Sequence, residues 1–378
     1  MLTKEFSPGL AGIVAAETRI SDVDGEAGRL VIAGFPVEEL APKAAYEEMA
    51  YLIWHDRLPD GDELAAMTQS LVENRTLPEI TIEVLKAAAE QRAAPMDALR
   101  MAAATLSLDT IDAEPTDEAC AIAAKFPTII ASYWRLKDGK EPVAPRGDLG
   151  QAANYLYMLR GEEPSAAEAR ALETYLNTVS DHAMNASTFT GRVIIATGSD
   201  LVSAVTGAVG ALKGPLHGGA PGPALDMVFD IGKPERAEEY LRELLRRGER
   251  IMGFGHRVYK VRDPRADVLA GAASILYAEG AADHQVYELA MHVEETALRL
   301  LEEYKPGRRL QTNVEFYTAL ILHGLQLDTE LFTPTFAIGR VLGWIGHCFE
   351  QQRTGRLIRP QSQYIGETNR KYVPINER

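Results

Sequence analysis

The run VYELAMHVEETALRLLEEY (Val286–Tyr304) places Val286, Leu289, Val293, Ala297 and Leu300 at steps of three and four, with mostly polar residues between them. That spacing lays one apolar stripe along a helix and cannot face one side of a strand. Upstream, AEEYLRELLRRGER (Ala237–Arg250) repeats the pattern and stops at Gly248, a residue suited to the left-handed turn that ends many helices. Leu77-Pro78, Gly61, Ala94-Pro95 and Glu163-Pro164 cut the remainder into helices of ordinary length, with no strand–helix alternation of a doubly wound sheet. The acidic run GEEPSAAEARALE (Gly161–Glu173) reads as a solvated helix face. Near the start, GIVAAETRISDV and GRLVIAGF flank Asp24-Gly25 and predict a small β-hairpin. The expected class is mainly α.

The 378 residues carry 39 basic and 54 acidic side chains, a net charge of -15, which argues against a general nucleic-acid or membrane-surface binder. Two cysteines, Cys120 and Cys348, with no CxxC, suggest neither a disulfide framework nor a zinc knuckle. No apolar run reaches the ~18 residues of a membrane span, so a soluble, unprocessed, cytoplasmic protein is expected.

Four stretches depart from plain scaffold. In LKGPLHGGAPGP (Leu212–Pro223), His217 sits among glycines between two helices. Near a helix N-terminus a histidine stays neutral and can donate to a developing oxyanion; the bland alternative is an exposed turn histidine. From Arg246 to Arg265, Arg246, Arg247, Arg250, Arg257, Lys260, Arg262 and Arg265 stand against Glu249 and Asp263 only, a local sign opposite to the global one. This predicts an anion site, or else a solvated basic loop. VSDHAMNASTFTGR (Val179–Arg192) puts His182 and Asn185 at a helix end, where a hydrogen-bonded core histidine is the commoner case. Glu315, in QTNVEFYTALI (Gln311–Ile321), falls in a first helical turn, which suits capping and the helix dipole as well as catalysis. His55, His284, His292, His323 and His347 lack metal-ligand spacing and read as structural.

Taken in order, GLAGIVAAETRISDVDGEAGRL, NASTFTGRV, LKGPLHGGA, IMGFGHRVYKVRDPR, TNVEFY and RPQSQYIG make nearly the whole chain resemble prokaryotic members of the citrate and 2-methylcitrate synthase family. The resemblance implies a mainly α homodimer. Each subunit would have a large domain (1–218 and 327–378) and a small domain (219–326) that closes over substrate. It implies a Claisen condensation of acetyl-CoA with oxaloacetate, then hydrolysis of citryl-CoA, with no metal or redox cofactor. By motif position Glu315 is the base, His217 the donor to the acetyl-CoA carbonyl and His256 the donor to the oxaloacetate ketone. His182, Arg265 and Arg340 match oxaloacetate-binding positions, and Arg359 an arginine supplied across the dimer interface. Phe336 matches an aromatic near the acyl group. Gly253, Phe254 and Gly255 resemble the adenine loop for CoA, with Arg308 as a phosphate contact or a solvated charge.

One position departs from the pattern, which has aspartate where this chain has Glu315. The added methylene moves the carboxylate by about one bond length, and ~1 Å of misplacement can cost ~100-fold in rate. The resemblance therefore leaves open a citrate synthase, a 2-methylcitrate synthase using propionyl-CoA, a silenced paralogue that only binds, and a citryl-CoA lyase. Pockets separate one methylene only ~10–200-fold, so motifs do not divide the first two. Pro221 and Pro223 stiffen the chain beyond His217, without an assigned consequence.

Overall fold

A computed structural model describes residues 6–110, 113–218, 221–256, 258–280 and 283–378. Gly219, at the expected domain boundary, and Arg257, in the basic segment, lie outside the described residues. The fold is mainly α, with 61% helix and 3% strand. A three-stranded antiparallel sheet, β1 (Ser21–Asp24), β2 (Arg29–Ile32) and β3 (Phe35–Pro36), precedes sixteen α-helices among the described residues. These are α1 (Val37–Leu40), α2 (Tyr46–His55), α3 (Gly61–Glu73), α4 (Glu79–Glu90), α5 (Pro95–Thr105), α6 (Pro115–Lys137), α7 (Gln151–Arg160), α8 (Ala166–Thr178), α9 (Ala186–Ile195), α10 (Leu201–Leu212), α11 (Pro221–Ile231), α12 (Pro234–Arg246), α13 (Pro264–Ala278), α14 (His284–Tyr304), α15 (Val314–Gly324) and α16 (Phe332–Thr354).

The helix punctuation follows local chemistry. Asp60 and Ser165 cap α3 and α8 as reciprocal capping boxes with Glu63 and Glu168. Pro127 stands inside α6 and supplies no N–H to the turn before it. Gln151 Nε2 approaches the Ala123 and Ala124 carbonyl oxygens at 3.2 Å each, filling the gap from α7.

The hub is α16, which contacts α2, α6, α8, α9 and α10. Its glycines permit this. A Cβ on Gly339 would come within 2.4 Å of the Leu176 carbonyl oxygen, and one on Gly343 within 2.4 Å of the Ser180 oxygen. Two buried aromatics reach carbonyls of α16 with their polar tips: Tyr46 donates to the Ile338 carbonyl at 2.9 Å and Trp54 to that of Leu342 at 3.1 Å.

Three sequence readings change. The hairpin's first arm is only Ser21–Asp24, and Gly12–Arg19 is not a strand; Asp24 pairs with Arg29 across a four-residue loop rather than a two-residue turn. The helix carrying GEEPSAAEARALE is not a solvated face: α8 buries Ala167, Glu168, Ala171, Leu172, Tyr175 and Leu176, because it lies beneath α7, α13 and α16. Asn185 belongs to the start of a helix, not an end, since its side chain caps α9 by accepting from the Thr188 N–H. Beyond Gly355 the chain leaves α16 as an extended tail, with Leu357, Tyr364, Ile365, Tyr372 and Ile375 exposed. Among the described residues no helix is long and apolar enough to cross a membrane.

Candidate active site

One wall of the site is the loop between α8 and α9. His182 lies there, followed by Ala183 at φ +51°, a left-handed backbone that a non-glycine residue adopts only when held. The holding groups are Ser21 Oγ, which accepts the Ala183 N–H at 2.7 Å, and Asp181 Oδ2 at 3.1 Å. His182 Nε2 is 3.1 Å from the Tyr259 hydroxyl. Burial, then the guanidiniums of Arg265 and Arg340, then His256, hold the His182 imidazole well below its usual pKa, so it is neutral.

The opposite wall is built by residues 253–265 and the start of α15. Gly253 and Gly255 adopt φ of +83° and +81°, and the segment pairs with residues 311–313 as a short ladder. Gly255 N–H donates to the Gln311 carbonyl at 2.7 Å and Asn313 N–H to that of Gly253 at 3.0 Å. His256 follows directly, and its Nδ1 accepts the backbone N–H groups of Val258 and Tyr259 at 3.0 and 3.1 Å. An imidazole nitrogen that accepts twice carries no proton, so the neutral ring is protonated at Nε2. Burial and the adjacent Arg265 hold this histidine at a pKa of about 4.

Arg265 enters from the first turn of α13. Asp263 caps that helix, accepting the Arg265 N–H, and grips the guanidinium at Nε (3.0 Å) and Nη2 (2.8 Å). Nη2 stands 3.4 Å from His256 Nε2. With Nε2 protonated both atoms are donors, so neither satisfies the other. Asp263 Oδ2 also lies 3.3 Å from the Val314 N–H, which ties α13 to α15.

Glu315 occupies the first turn of α15, its N–H capped by Asn313 Oδ1 at 2.9 Å. Burial raises its carboxyl pKa, Arg265 opposes that, and Asp263 adds to it. On the large-helix side, His217 sits between α10 and α11 with Nε2 2.8 Å from Ser187 Oγ, which also accepts Trp344 Nε1–H at 3.0 Å. Burial, then Arg340, lowers the His217 pKa. Arg340, on α16, is 2% exposed, donates through Nε to the Val179 carbonyl at 2.7 Å and lies over the Phe336 ring at 4.5 Å. Burial and Arg265 bring its pKa down to about 10. Among the described residues no carboxylate forms an ion pair with Arg340, which leaves a buried cation facing the histidines.

This geometry brings together His182, His217, His256, Arg265, Glu315, Arg340 and Phe336. Two expected residues stand apart: Arg359 is exposed in the tail and Arg308 is exposed after α14. Of the basic segment, Arg262 is spent on Asp267 and Glu294, and Arg247 on Glu243. A cavity of about 700 Å³ lies away from the histidines, between the 15–20 segment and the 353–358 end of α16 and tail. Tyr259, Asp263, Ser187 and Asn313 were not singled out from sequence. Asp263 and Asn313 had a signal there, each a capping residue type just before a helix start.

A family model described as "Citrate synthase, C-terminal domain" matches residues 9–361. The chain belongs to the citrate synthase family. It is 42% identical to citrate synthase 2 of Bacillus subtilis over 98% of both chains. A 2-methylcitrate synthase of Mycobacterium tuberculosis is 36% identical, covering 97% of this chain and 92% of that protein. The ternary complex of carboxymethyl coenzyme A and oxaloacetate with citrate synthase from Thermoplasma acidophilum superposes with a TM-score of 0.89 at 30% identity, covering both chains fully. As a member of this family the protein is an acyltransferase of the type that condenses acetyl-CoA with oxaloacetate.

Proposed function

We propose that the cleft between His182 and Glu315 is the condensation site, with Glu315 as the base. The observation that carries this reading is the closeness of two donors, His256 Nε2 and Arg265 Nη2, 3.4 Å apart, beside the buried cation of Arg340. Oxaloacetate supplies what those groups lack: a ketone oxygen for His256 and carboxylates for Arg265 and Arg340, with His182 alongside. Glu315 removes a proton from the thioester methyl group. His217 holds the enol(ate) oxygen, the carbanion carbon bonds to the ketone carbon, and water then cleaves the thioester to release CoA. Ser187 has one hydroxyl proton and two acceptors for it, Asn185 Oδ1 and His217 Nε2, both at 2.8 Å; given to His217 Nε2, it leaves the neutral ring its Nδ1–H as the donor. The raised pKa of Glu315 suits a base that must take a weakly acidic proton.

The working form in this reading is a cytoplasmic homodimer of the tricarboxylic acid cycle. The exposed apolar tail supports it, since Arg359 of the partner subunit would complete each oxaloacetate site. Residues 219–326 act as a small domain closing on 1–218 and 327–378, Phe336 borders the acyl group, and Gly253, Phe254, Gly255 and Arg308 meet CoA. The reaction as written requires no metal or redox cofactor. The test is oxaloacetate-dependent release of CoA thiol from acetyl-CoA and propionyl-CoA, with Glu315→Asp and Glu315→Gln beside the native protein. Turnover by the native chain and its loss, by about 1,000-fold, in Glu315→Gln is expected. A native protein that is inert while Glu315→Asp turns over would make this a binding protein silenced by one methylene; preference for propionyl-CoA would make it a 2-methylcitrate synthase.

A further inference from the structure

The N-terminal sheet touches both walls of the cleft. At the start of β1, the Ser21 hydroxyl donates to Asp181 Oδ2 and accepts the Ala183 N–H, bracketing His182 from either side. Asp181 is fully buried, with His347 Nε2 3.3 Å from its Oδ1, so this end is anchored to α16. At the tip, the Gly25 carbonyl accepts the Lys260 N–H at 2.8 Å. A Cβ on Gly25 would stand 2.2 Å from the Val258 carbonyl oxygen, and one on Gly28 2.6 Å from Val261 Cγ2. Val258 and Tyr259 are the residues whose N–H groups fix His256. One hairpin, four residues long in each arm, thus holds the His182 loop at its base and the His256 loop at its tip.

We propose that the β1–β2 hairpin is a positioning strut that sets the distance between the two oxaloacetate-facing histidines, with Ser21 and Gly25 as its contact residues. The His182 and His256 rings stand 6.0 Å apart between centroids, and Tyr259 bridges them. Neither Ser21 nor Gly25 touches substrate in this arrangement; each acts through the loop it holds. Without the Ser21 hydroxyl, the left-handed Ala183 loses its nearest acceptor and the His182 loop can relax. With a methyl on Gly25, the obstacle is backbone, so the loop carrying His256 must move.

This inference rests on the proposed oxaloacetate site and is tested by steady-state kinetics of full-length Ser21→Ala, Ser21→Thr and Gly25→Ala. The expected result is a loss of about ten-fold or more in kcat/KM for oxaloacetate in both Ser21→Ala and Gly25→Ala. The acetyl-CoA KM should stay within about two-fold, and Ser21→Thr, which keeps the hydroxyl, should recover most of the loss. Oxaloacetate kinetics within about two-fold of native in Gly25→Ala, or an equal rise in both KM values, would overturn the strut. Gly25 lies at the half-exposed tip, so its variant keeps the test decisive should Ser21→Ala fail to fold. Calorimetric titration with oxaloacetate reads the same contrast without turnover: a native protein that binds but does not react refutes the proposed reaction, while the ratio of affinities still decides the strut.

Discussion

Glu315 and the three neutral histidines make opposite demands on pH. Glu315 has a folded pKa above its ordinary value, so as pH rises through that interval the folded state gives up a proton it prefers to keep, and stability is lost. At pH 7 the ionised carboxylate is a net cost. Glu315→Gln should therefore raise the thermal midpoint by about 1–2 °C while abolishing turnover, a pairing that differential scanning calorimetry and the thiol assay together would check. For His182, His217 and His256 the folded pKa is depressed, to about 4 for His256 from an ordinary histidine value of 6.5. The unfolded chain binds more protons across that window, so stability should fall as pH drops from about 6.5 to 4, measurable as a declining melting temperature. These residues were legible in the sequence because their types and glycine-rich settings are unusual. Their supports were not: Tyr259 meets His182 from 77 positions away and Trp344 meets Ser187 from 157 away, separations that no local pattern encodes.

At the scale of elements, Asp263 links two helix starts. It caps α13, clamps Arg265 and lies by the first N–H of α15, on Val314, the residue directly before Glu315. Asp263→Asn removes the charge that offsets a buried guanidinium, and an uncompensated buried ion costs about 3–5 kcal/mol. We expect the oxaloacetate KM to rise by about ten-fold or more and the melting temperature to fall, read by initial rates and thermal denaturation. The helices themselves were readable, since α12 and α14 follow their apolar spacing and the expected prolines and Asp60-Gly61 mark helix starts. The short first arm of the hairpin was misjudged because Ile13 and Val14 look like strand residues, yet are 54% and 88% exposed. The burial of α8 was missed because alanines and paired acids look polar in sequence. Glu168 is instead neutralised by Arg160 and by its own cap.

For the whole molecule, the proposed dimer makes a subunit-mixing prediction. Arg359→Ala and Glu315→Gln homodimers should each be inactive. A hybrid of the two has one site with both residues intact, so random re-association of equal amounts should recover about a quarter of native activity. The check is to dissociate, mix and assay, and no recovery would mean that each site takes its Arg359 from its own chain. The tail's role was legible only through the family motif RPQSQYIG, because an exposed segment has no internal period to read.

The same tail sets how long a lone subunit would last. Residues 355–378 contribute almost nothing to the buried interior, and their side chains stand open to solvent. A protease cutting there opens no helix, and the clipped subunit would keep its fold while losing the arginine that the proposed dimer places in the neighbouring site. Pairing would shield that segment. Limited trypsin digestion should therefore trim dilute protein after Arg356 faster than concentrated protein, while the Arg359–Pro360 bond, which trypsin does not cut, stays whole in both.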